Sequence, residues 1–477
     1  MRSFCLLFAI ECGIAMPLIG RLQFTTTGSL AASVAVYAGV VDLLLQAIIP
    51  APCVGEGGER YSYSPIIARP IPVLLLALGF SYRSNCGYLA LGFWLLALAG
   101  IMFTTQRSLG FRFARSALTQ FICASIVVLA LWAVNTAAYS SPEWRSALER
   151  GNAYAGFTDY PTTPYQEAPD FYNEVGWDED LYNIASDYWF FLDPRMTTDS
   201  LASINSANAW GVHELIEHPL DSLRDRLMEM REPVPLAYAM VCCAIAVILF
   251  LHVRERRCRL SMMSVVVSVS LLLGYLFLKG RLPLRAYLSV MLPALAVLGA
   301  FFLVLLNALR SPQQLPRVSQ WVFVALLSVV ALLPAIAAFC QFGYASEDCQ
   351  EQLSRQGNID SFQEYASQRP DSLFIYDYWA ELTPQTVWDV DWPSNVTQWG
   401  GWTYIMPWFD DVMCEQGFGG TPTTDTLLRD DVYFVNKDDY TRDLLIADMQ
   451  CLYGEDVTIE QVDTIGDDLR VYRFTLV

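Results

Sequence analysis

Residues 318–340 read VSQWVFVALLSVVALLPAIAAFC and contain no charged side chain. A helix needs about 20 apolar residues to cross the hydrocarbon of a bilayer, so this run is long enough to span a membrane. Further apolar runs with few charges precede it along the chain. They lie at residues 3–20, 29–50, 65–82, 86–104, 117–138, 234–253, 261–278 and 286–307. The sequence therefore predicts an α-helical polytopic membrane protein with eight or nine transmembrane helices.

Two of these runs are less regular than the others. Arg69 and two prolines interrupt the start of 65–82, which would also fit a re-entrant or broken helix supported by surrounding protein. The first run contains Glu11, and no small-residue cleavage site follows it, which favours an uncleaved span over a signal peptide. Glu11 and Asp42 are either ion or proton sites inside the membrane or lie near its surface.

Charge is unevenly distributed along the chain. Residues 139–233 hold 18 acidic against 6 basic side chains, and residues 342–477 hold 26 acidic against 7 basic. The net charge of −19 argues against a nucleic-acid partner, whose phosphates need basic side chains. We expect transmembrane helices over 1–138 and 234–341. These alternate with two acidic domains, a helical one over 139–233 and a C-terminal α/β domain over 342–477.

Arginines between the apolar runs predict the orientation of the chain. They cluster in the loops that follow the fourth, sixth and eighth runs. These arginines are Arg107, Arg112, Arg115, Arg254, Arg256, Arg257, Arg259, Arg310 and Arg317. Because loops rich in Arg and Lys stay in the cytoplasm, both acidic domains are expected on the extracytoplasmic side of the cell membrane.

The C-terminal region has a mixed pattern of secondary structure. Strand-like runs at 372–376, 432–435 and 469–474 alternate with helical periodicity at 357–369 and 439–453. Alternation of this kind is typical of an α/β domain.

The stretch after the first predicted strand is dense in tryptophan and acidic residues. Trp399, Trp402 and Asp391 are the candidates for sugar binding. Flat aromatic faces pack on the C–H face of a sugar, and carboxylates accept hydrogen bonds from its hydroxyls. The alternative is that these tryptophans are buried or lie at the level of the lipid headgroups.

A cationic turn, KGRLPLR at 279–285, follows the seventh apolar run on the predicted outer side. Lys279, Arg281 and Arg285 oppose the inward bias of the other basic residues. Guanidinium and ammonium groups bind phosphate, so these three are candidates for holding the phosphate of a lipid carrier. The alternative is that they pair with the acidic domains or extend to lipid headgroups.

No cofactor is predicted, and no metal site. His213 and His218 are five residues apart, whereas a zinc-binding helix places its histidines four apart on one face. A divalent metal bound by other carboxylates has no supporting pattern in the sequence.

Multiple spans, large outer loops and a C-terminal outer α/β domain together resemble the GT-C class of membrane glycosyltransferases, including bacterial multi-pass proteins of that build. The motifs that carry the resemblance fall within residues 117–477. They are Asp159-Tyr160-Pro161, Gly176-Trp177 with Asp180, Phe191-Leu192-Asp193-Pro194, the turn from Gly280 to Arg285, Gly400-Gly401-Trp402 and Val432-Tyr433-Phe434-Val435. The resemblance implies transfer of a sugar from a polyprenyl-phosphate-linked donor to an acceptor at the outer face, such as a cell-envelope glycan.

The sequence departs from that class in one respect. GT-C members carry acidic residues in the first outer loop, whereas residues 21–28 contain no carboxylate. Asp159 is then the candidate general base on the acceptor hydroxyl. The alternative function is a non-catalytic scaffold or sugar-binding protein of a polysaccharide assembly system.

Overall fold

The computed structural model describes residues 24–48, 70–104, 110–187, 193–207, 233–253, 256–280, 282–308, 317–377, 380–382, 392–454, 456–466 and 468–477. Contacts divide the chain into two compact units. The helical unit comprises Met1–Ala138 and Pro219–Ser346, and the α/β unit comprises Tyr139–His218 and Glu347–Val477.

Secondary structure in the described residues is mostly helical. The helices are α1 (Phe24–Ile48), α2 (Pro70–Tyr82), α3 (Ser84–Thr104), α4 (Gly110–Ala138), α5 (Pro142–Thr158), α6 (Pro169–Glu174), α7 (Glu179–Ser186), α8 (Thr198–Ala207), α9 (Pro233–His252), α10 (Arg256–Leu278), α11 (Leu284–Ala308), α12 (Arg317–Ser367), α13 (Phe409–Glu415), α14 (Thr424–Leu427) and α15 (Asp439–Tyr453). The strands are β1 (Leu373–Tyr376), β2 (Val396–Gln398), β3 (Val432–Asn436), β4 (Val457–Ile465) and β5 (Leu469–Leu476).

Helices occupy the positions of the second to ninth predicted spans. Within the described ranges, four apolar segments are long enough to cross a membrane. They are Leu118–Ala138, Pro235–His252, Arg259–Leu278 and Leu284–Phe302. Large apolar side chains on the helical unit face outward, for example Leu129, Leu271 and Phe339, which is 81% exposed. A surface of this kind is unfavourable in water, so the unit fits a multi-pass membrane protein.

Some predicted features fall outside the described residues. These are the first span at 3–20, the start of the third at 65–69, and the segment from His213 to His218.

The α/β unit is built on a five-stranded mixed sheet with the order β2-β1-β3-β5-β4. Strand β1 pairs in parallel with both β2 and β3, and β5 is antiparallel to β3 and β4. The predicted strand runs correspond to β1, β3 and β5, so the prediction of a C-terminal α/β region is confirmed. Helix α15 occupies the predicted stretch 439–453.

Both faces of the sheet are covered. The C-terminal end of α12 covers one face, where Phe362 packs against Phe374 and Tyr376. On the other face α13 to α15 pack together with residues of the first acidic region. Trp177 and Leu181 from that region share a buried core with Phe434. The two acidic regions of the sequence therefore fold around one core.

Asn395, which directly precedes β2, hydrogen-bonds to three backbone carbonyl groups at and just after the end of α12. Its Nδ2 atom donates to the carbonyl oxygens of Ala366 at 3.1 Å, Arg369 at 3.0 Å and Ser372 at 2.8 Å. The side chain is buried. The amide thus ties the helix end to the strand that follows it.

Asn395→Asp replaces this donor by a carboxylate that faces three carbonyl oxygens. Because buried carbonyl groups then lose their partner, we expect the free energy of unfolding of the α/β unit to fall by about 1–3 kcal/mol or more. Denaturant unfolding of the purified chain measures the loss. The control is Asn173→Asp, since Asn173 is exposed and uses its oxygen to accept from the Tyr165 hydroxyl. Equal stability of the two variants would contradict the assignment.

Candidate functional site

The helical unit contains a cavity of about 330 Å³ between the ends of three helices. It lies at the start of α3, the end of α10 and the start of α11. Its lining residues are Arg83, Asn85, Tyr88, Leu89, Leu272, Tyr275, Leu276, Ala286, Ser289 and Val290. Half of these residues have polar side chains and half are apolar, and most of the surface that they present to the cavity is apolar.

Arg83 forms the single-residue link between α2 and α3. Its backbone N–H donates to the carbonyl oxygen of Gly79 at 3.1 Å, and its own carbonyl oxygen accepts from the N–H of Cys86 at 3.0 Å. Hydrogen bonding thus continues through the link from one helix into the next. The link fixes the position from which the Arg83 side chain reaches the cavity wall.

Two helices begin at the cavity. Asn85 lies in the first turn of α3, and Ala286 lies in the first turn of α11. Pro283 sets the start of α11, because its carbonyl oxygen accepts from the N–H groups of Ala286 at 2.9 Å and Tyr287 at 3.1 Å. Helix amino ends carry partial positive charge and backbone donors, which together favour a bound anion.

The predicted cationic turn borders this cavity. Lys279 follows the lining residue Leu276 by three positions, and Arg285 directly precedes the lining residue Ala286. Lys279 is exposed and Arg285 is half-buried. Arg281 lies outside the described residues. With Arg83, these side chains place cationic groups around one end of the helical unit.

Small polar groups support the inner wall. The Ser289 hydroxyl donates to the carbonyl oxygen of Arg285 at 2.8 Å and lies 2.9 Å from the Ser29 hydroxyl. The Cys86 sulfur lies 3.2 Å from the Ser29 hydroxyl and 3.5 Å from that of Ser289. Helices α1, α3 and α11 are therefore connected behind the cavity, and Ser289 is held in a defined orientation.

The cavity also reaches the apolar outer face of the helical unit. Tyr88 and Tyr275 line it and are 44% and 59% exposed. Cations and helix amino ends at one end, with apolar walls beside them, suit an amphiphilic anion. Among the described residues, no group of three or more His, Cys, Asp or Glu side chains is arranged to hold a metal ion.

The other predicted site residues belong to the α/β unit. Trp399 is fully buried, with its ring 6.1 Å from that of Phe434, whereas Trp402 is 43% exposed. Asp391 lies outside the described residues. The Trp399 ring is therefore part of the core, and Trp402 is the exposed aromatic group of the pair.

Asp159 forms the C-terminal cap of α5 and is half-buried. Trp402 lies along the same helix, since a Cβ on Gly151 would be 3.8 Å from its ring. Eight residues of helix separate Gly151 from Asp159, a distance of about 12 Å along the axis. Asp159 and Trp402 thus lie at different levels of α5.

Sequence reasoning missed Arg83, Tyr88, Tyr275 and Ser289. Only Arg83 could have been recognised from the pattern of charge along the sequence. Arg83 lies between the third and fourth predicted spans, on the side assigned to the turn at 279–285, and like that turn it opposes the inward bias of arginine. The two tyrosines and the serine look like ordinary residues of apolar helices, and only packing brings them to the cavity.

The geometry describes a cavity with apolar walls, beside the first turns of two helices, in the helical unit. Comparison with known proteins adds no relative: no family model, curated protein or solved structure matches the chain.

Proposed function

We propose that the chain is a membrane glycosyltransferase-like protein that transfers a sugar from a polyprenyl-phosphate-linked donor on the outer face of the membrane. The observation that carries the proposal is the cavity at the ends of α3, α10 and α11. Arg83 and Arg285, with Lys279, supply cationic partners for a phosphate. The apolar wall formed by Leu89, Leu272 and similar side chains receives the first part of the prenyl chain, whose remainder stays in the bilayer.

The proposed topology has eight or nine spans with both acidic regions outside the cytoplasm. It rests on the arginines of the loops after the fourth, sixth and eighth runs. Within the α/β unit, Trp402 is the proposed sugar-binding ring, because it is exposed. Asp159 is the proposed base on the acceptor hydroxyl. The acceptor is proposed to be a cell-envelope glycan.

A binding experiment tests the cavity. We expect the wild-type protein in nanodiscs to bind a polyprenyl monophosphate and not the matching prenyl alcohol. Arg83→Ala removes one charged partner of the phosphate, so the affinity should fall about tenfold or more. Calorimetry or ligand-dependent thermal shift measures the change.

The matched control is Arg256→Ala. Arg256 is exposed at the start of α10, the opposite end of the helix that contributes Leu272 and Tyr275 to the cavity. This control should bind like the wild type. Equal loss in both variants, or equal binding of phosphate and alcohol, would show that the cavity is not a phosphate site.

A transfer assay tests catalysis separately. Arg281→Ala and Arg83→Ala should abolish sugar transfer while the protein still reaches the membrane. Unchanged transfer in either variant would count against the proposed role of that residue.

The alternative proposal is a non-catalytic scaffold or sugar-binding protein. One observation favours it: the described lining of the cavity includes no carboxylate to act as a base. It predicts binding of the lipid phosphate or of an oligosaccharide without turnover by the wild-type protein.

A further inference from the structure

A guanidinium in the α/β unit is surrounded by three carboxylates. The Nη1 atom of Arg195 donates to Oδ2 of Asp178 at 2.5 Å, and Nη2 donates to Oδ1 of Asp448 at 2.8 Å. Nη2 and Nε also donate to Oδ2 of Asp193 at 2.7 and 2.9 Å. Arg195 and Asp448 are 253 residues apart, so this cluster connects the two acidic regions of the sequence.

The cluster carries more negative charge than its single cation balances. Asp193 and Asp448 are each 1% exposed, and both accept from the same Nη2 atom of Arg195, at 2.7 and 2.8 Å. With Asp178, the three carboxylates around one guanidinium sum to a formal charge of −2. Two ionised carboxylates in contact and out of water are strongly unfavourable, and such pairs keep one proton between them.

We propose that the Asp448 carboxyl, packed with Asp193 against the guanidinium of Arg195, keeps a proton near neutral pH and shares it with Asp193 through a hydrogen bond. Loss of this proton in alkaline solution then weakens the contact between the turn that holds Arg195 and α15. The shared proton converts two repelling carboxylates into a hydrogen-bonded pair. Arg195 then balances the remaining charge of that pair. The contact between the two acidic regions is thereby made sensitive to pH.

The charged groups that face Asp448 are Asp193 and Arg195 in the turn before α8 and Asp178 at the start of α7. Further titratable groups surround these three: Asp180 beside Asp178 and Arg195, Cys451 against Asp178, and Tyr453 near Asp193, with Asp425 beyond it. Burial, followed by the charge of Asp193, raises the pKa of Asp448 to about 8. Burial lowers the pKa of Arg195, but the hydrogen bonds that Arg195 donates to Asp193 and Asp178 outweigh it and raise that pKa overall.

The pKa of Asp178 shifts in the opposite direction to that of Asp448. Burial raises the pKa of Asp178, but the backbone N–H of Leu181 and the Arg195 guanidinium outweigh it, and the pKa is lowered. The stability contributed by Asp178 is thus lost as the pH falls. A carboxyl group whose pKa is raised on folding contributes stability that is full below its unfolded pKa of about 4. For Asp448 that contribution is lost as the pH rises to about 8.

Asp448→Asn provides the test, because the amide reproduces the protonated acid: its oxygen accepts from Arg195 and its nitrogen donates to Asp193. The thermal midpoint of the α/β unit in the full-length wild type should fall by about 5–10 °C between pH 6 and pH 9. The midpoint of the variant should change much less. Asp430→Asn is the control, since Asp430 is 95% exposed and pairs with Arg473, and it should retain the wild-type pH dependence.

A second measurement needs only the wild type, in case the variant does not fold. Infrared difference spectra between pH 6 and pH 9 should show a protonated carboxyl band that disappears at the higher pH. If no such band titrates in this range, or if Asp448→Asn keeps the full pH dependence of the wild type, the shared proton does not exist as described.

Discussion

Replacing Arg195 by methionine is expected to lower the free energy of unfolding of the α/β unit by about 3–5 kcal/mol, the range for removing one partner of a buried ion pair. The reason is that Asp193 and Asp448 remain buried and lose Arg195, the cation that both of them contact. Denaturant unfolding at pH 7, followed by circular dichroism, measures the loss. Arg195 is tied to the core as well, because its carbonyl oxygen accepts from Nε1 of the buried Trp177 at 3.3 Å.

Arg442→Met is the matched control. Arg442 pairs with Asp439 and Asp443, whose side chains are 56% and 64% exposed. Exposed pairs of this kind contribute about 1 kcal/mol or less. At pH 9, where the pair has lost its proton, adding Asp448→Asn to Arg195→Met should restore part of the lost stability, because it removes one of the two uncompensated charges of the pair. A loss for Arg195→Met no larger than for Arg442→Met would refute the buried-charge explanation.

Gly79→Ala is expected to destabilise the helical unit by about 1–3 kcal/mol or more, the cost of overpacking a close contact. Helices α1 and α2 meet there almost backbone to backbone. A Cβ on Gly79 would lie 2.8 Å from the carbonyl oxygen of Gly28 and 2.8 Å from both the backbone nitrogen and Cβ of Ala32. Small residues permit this approach in membrane helices, and an added methyl group must push the helices apart.

Thermal unfolding of the helical unit in detergent measures this effect. Gly92→Ala is the control, because a Cβ at Gly92 meets nothing within 4 Å. Since alanine is the better helix former by about 0.5–1 kcal/mol, Gly92→Ala should be neutral or slightly stabilising. If the two alanine variants had the same thermal midpoint, the predicted close packing of α1 and α2 at Gly79 would be refuted.

Both predictions concern contacts between segments that are far apart in the chain. Arg195 connects the two acidic regions, and the core that contains Trp177 and Phe434 includes residues from both. Expressing residues 342–477 alone would expose the side of α15 that α7 covers and the part of the core that Trp177 and Leu181 fill. A study of this region therefore needs both acidic segments.

The sequence determined the features that depend on local patterns. Uninterrupted apolar length predicted the membrane helices, because the thickness of the hydrocarbon sets a minimum number of residues. Runs of apolar and β-branched residues predicted β1, β3 and β5, and helical periodicity predicted α15. The cationic turn at 279–285 could also be predicted from a local pattern, because its three charges lie close together along the chain.

Strands β2 and β4 were not predicted from the sequence, and each has a physical reason. Strand β2 has three residues, too few for a pattern. Strand β4 is at the edge of the sheet and exposes most of its side chains, so it has no continuous apolar run.

The tertiary structure alone decided which distant residues meet. It brought Arg83 to the wall of the cavity bordered by Lys279 and Arg285. It also brought the Asp448 carboxylate into hydrogen-bonding contact with Arg195. It also put Trp399 in the core while leaving Trp402 exposed, although the two differ by three positions in one tryptophan-rich stretch. The physical reason is that hydropathy and charge act along the chain, whereas burial and ion pairing depend on how helices and strands pack.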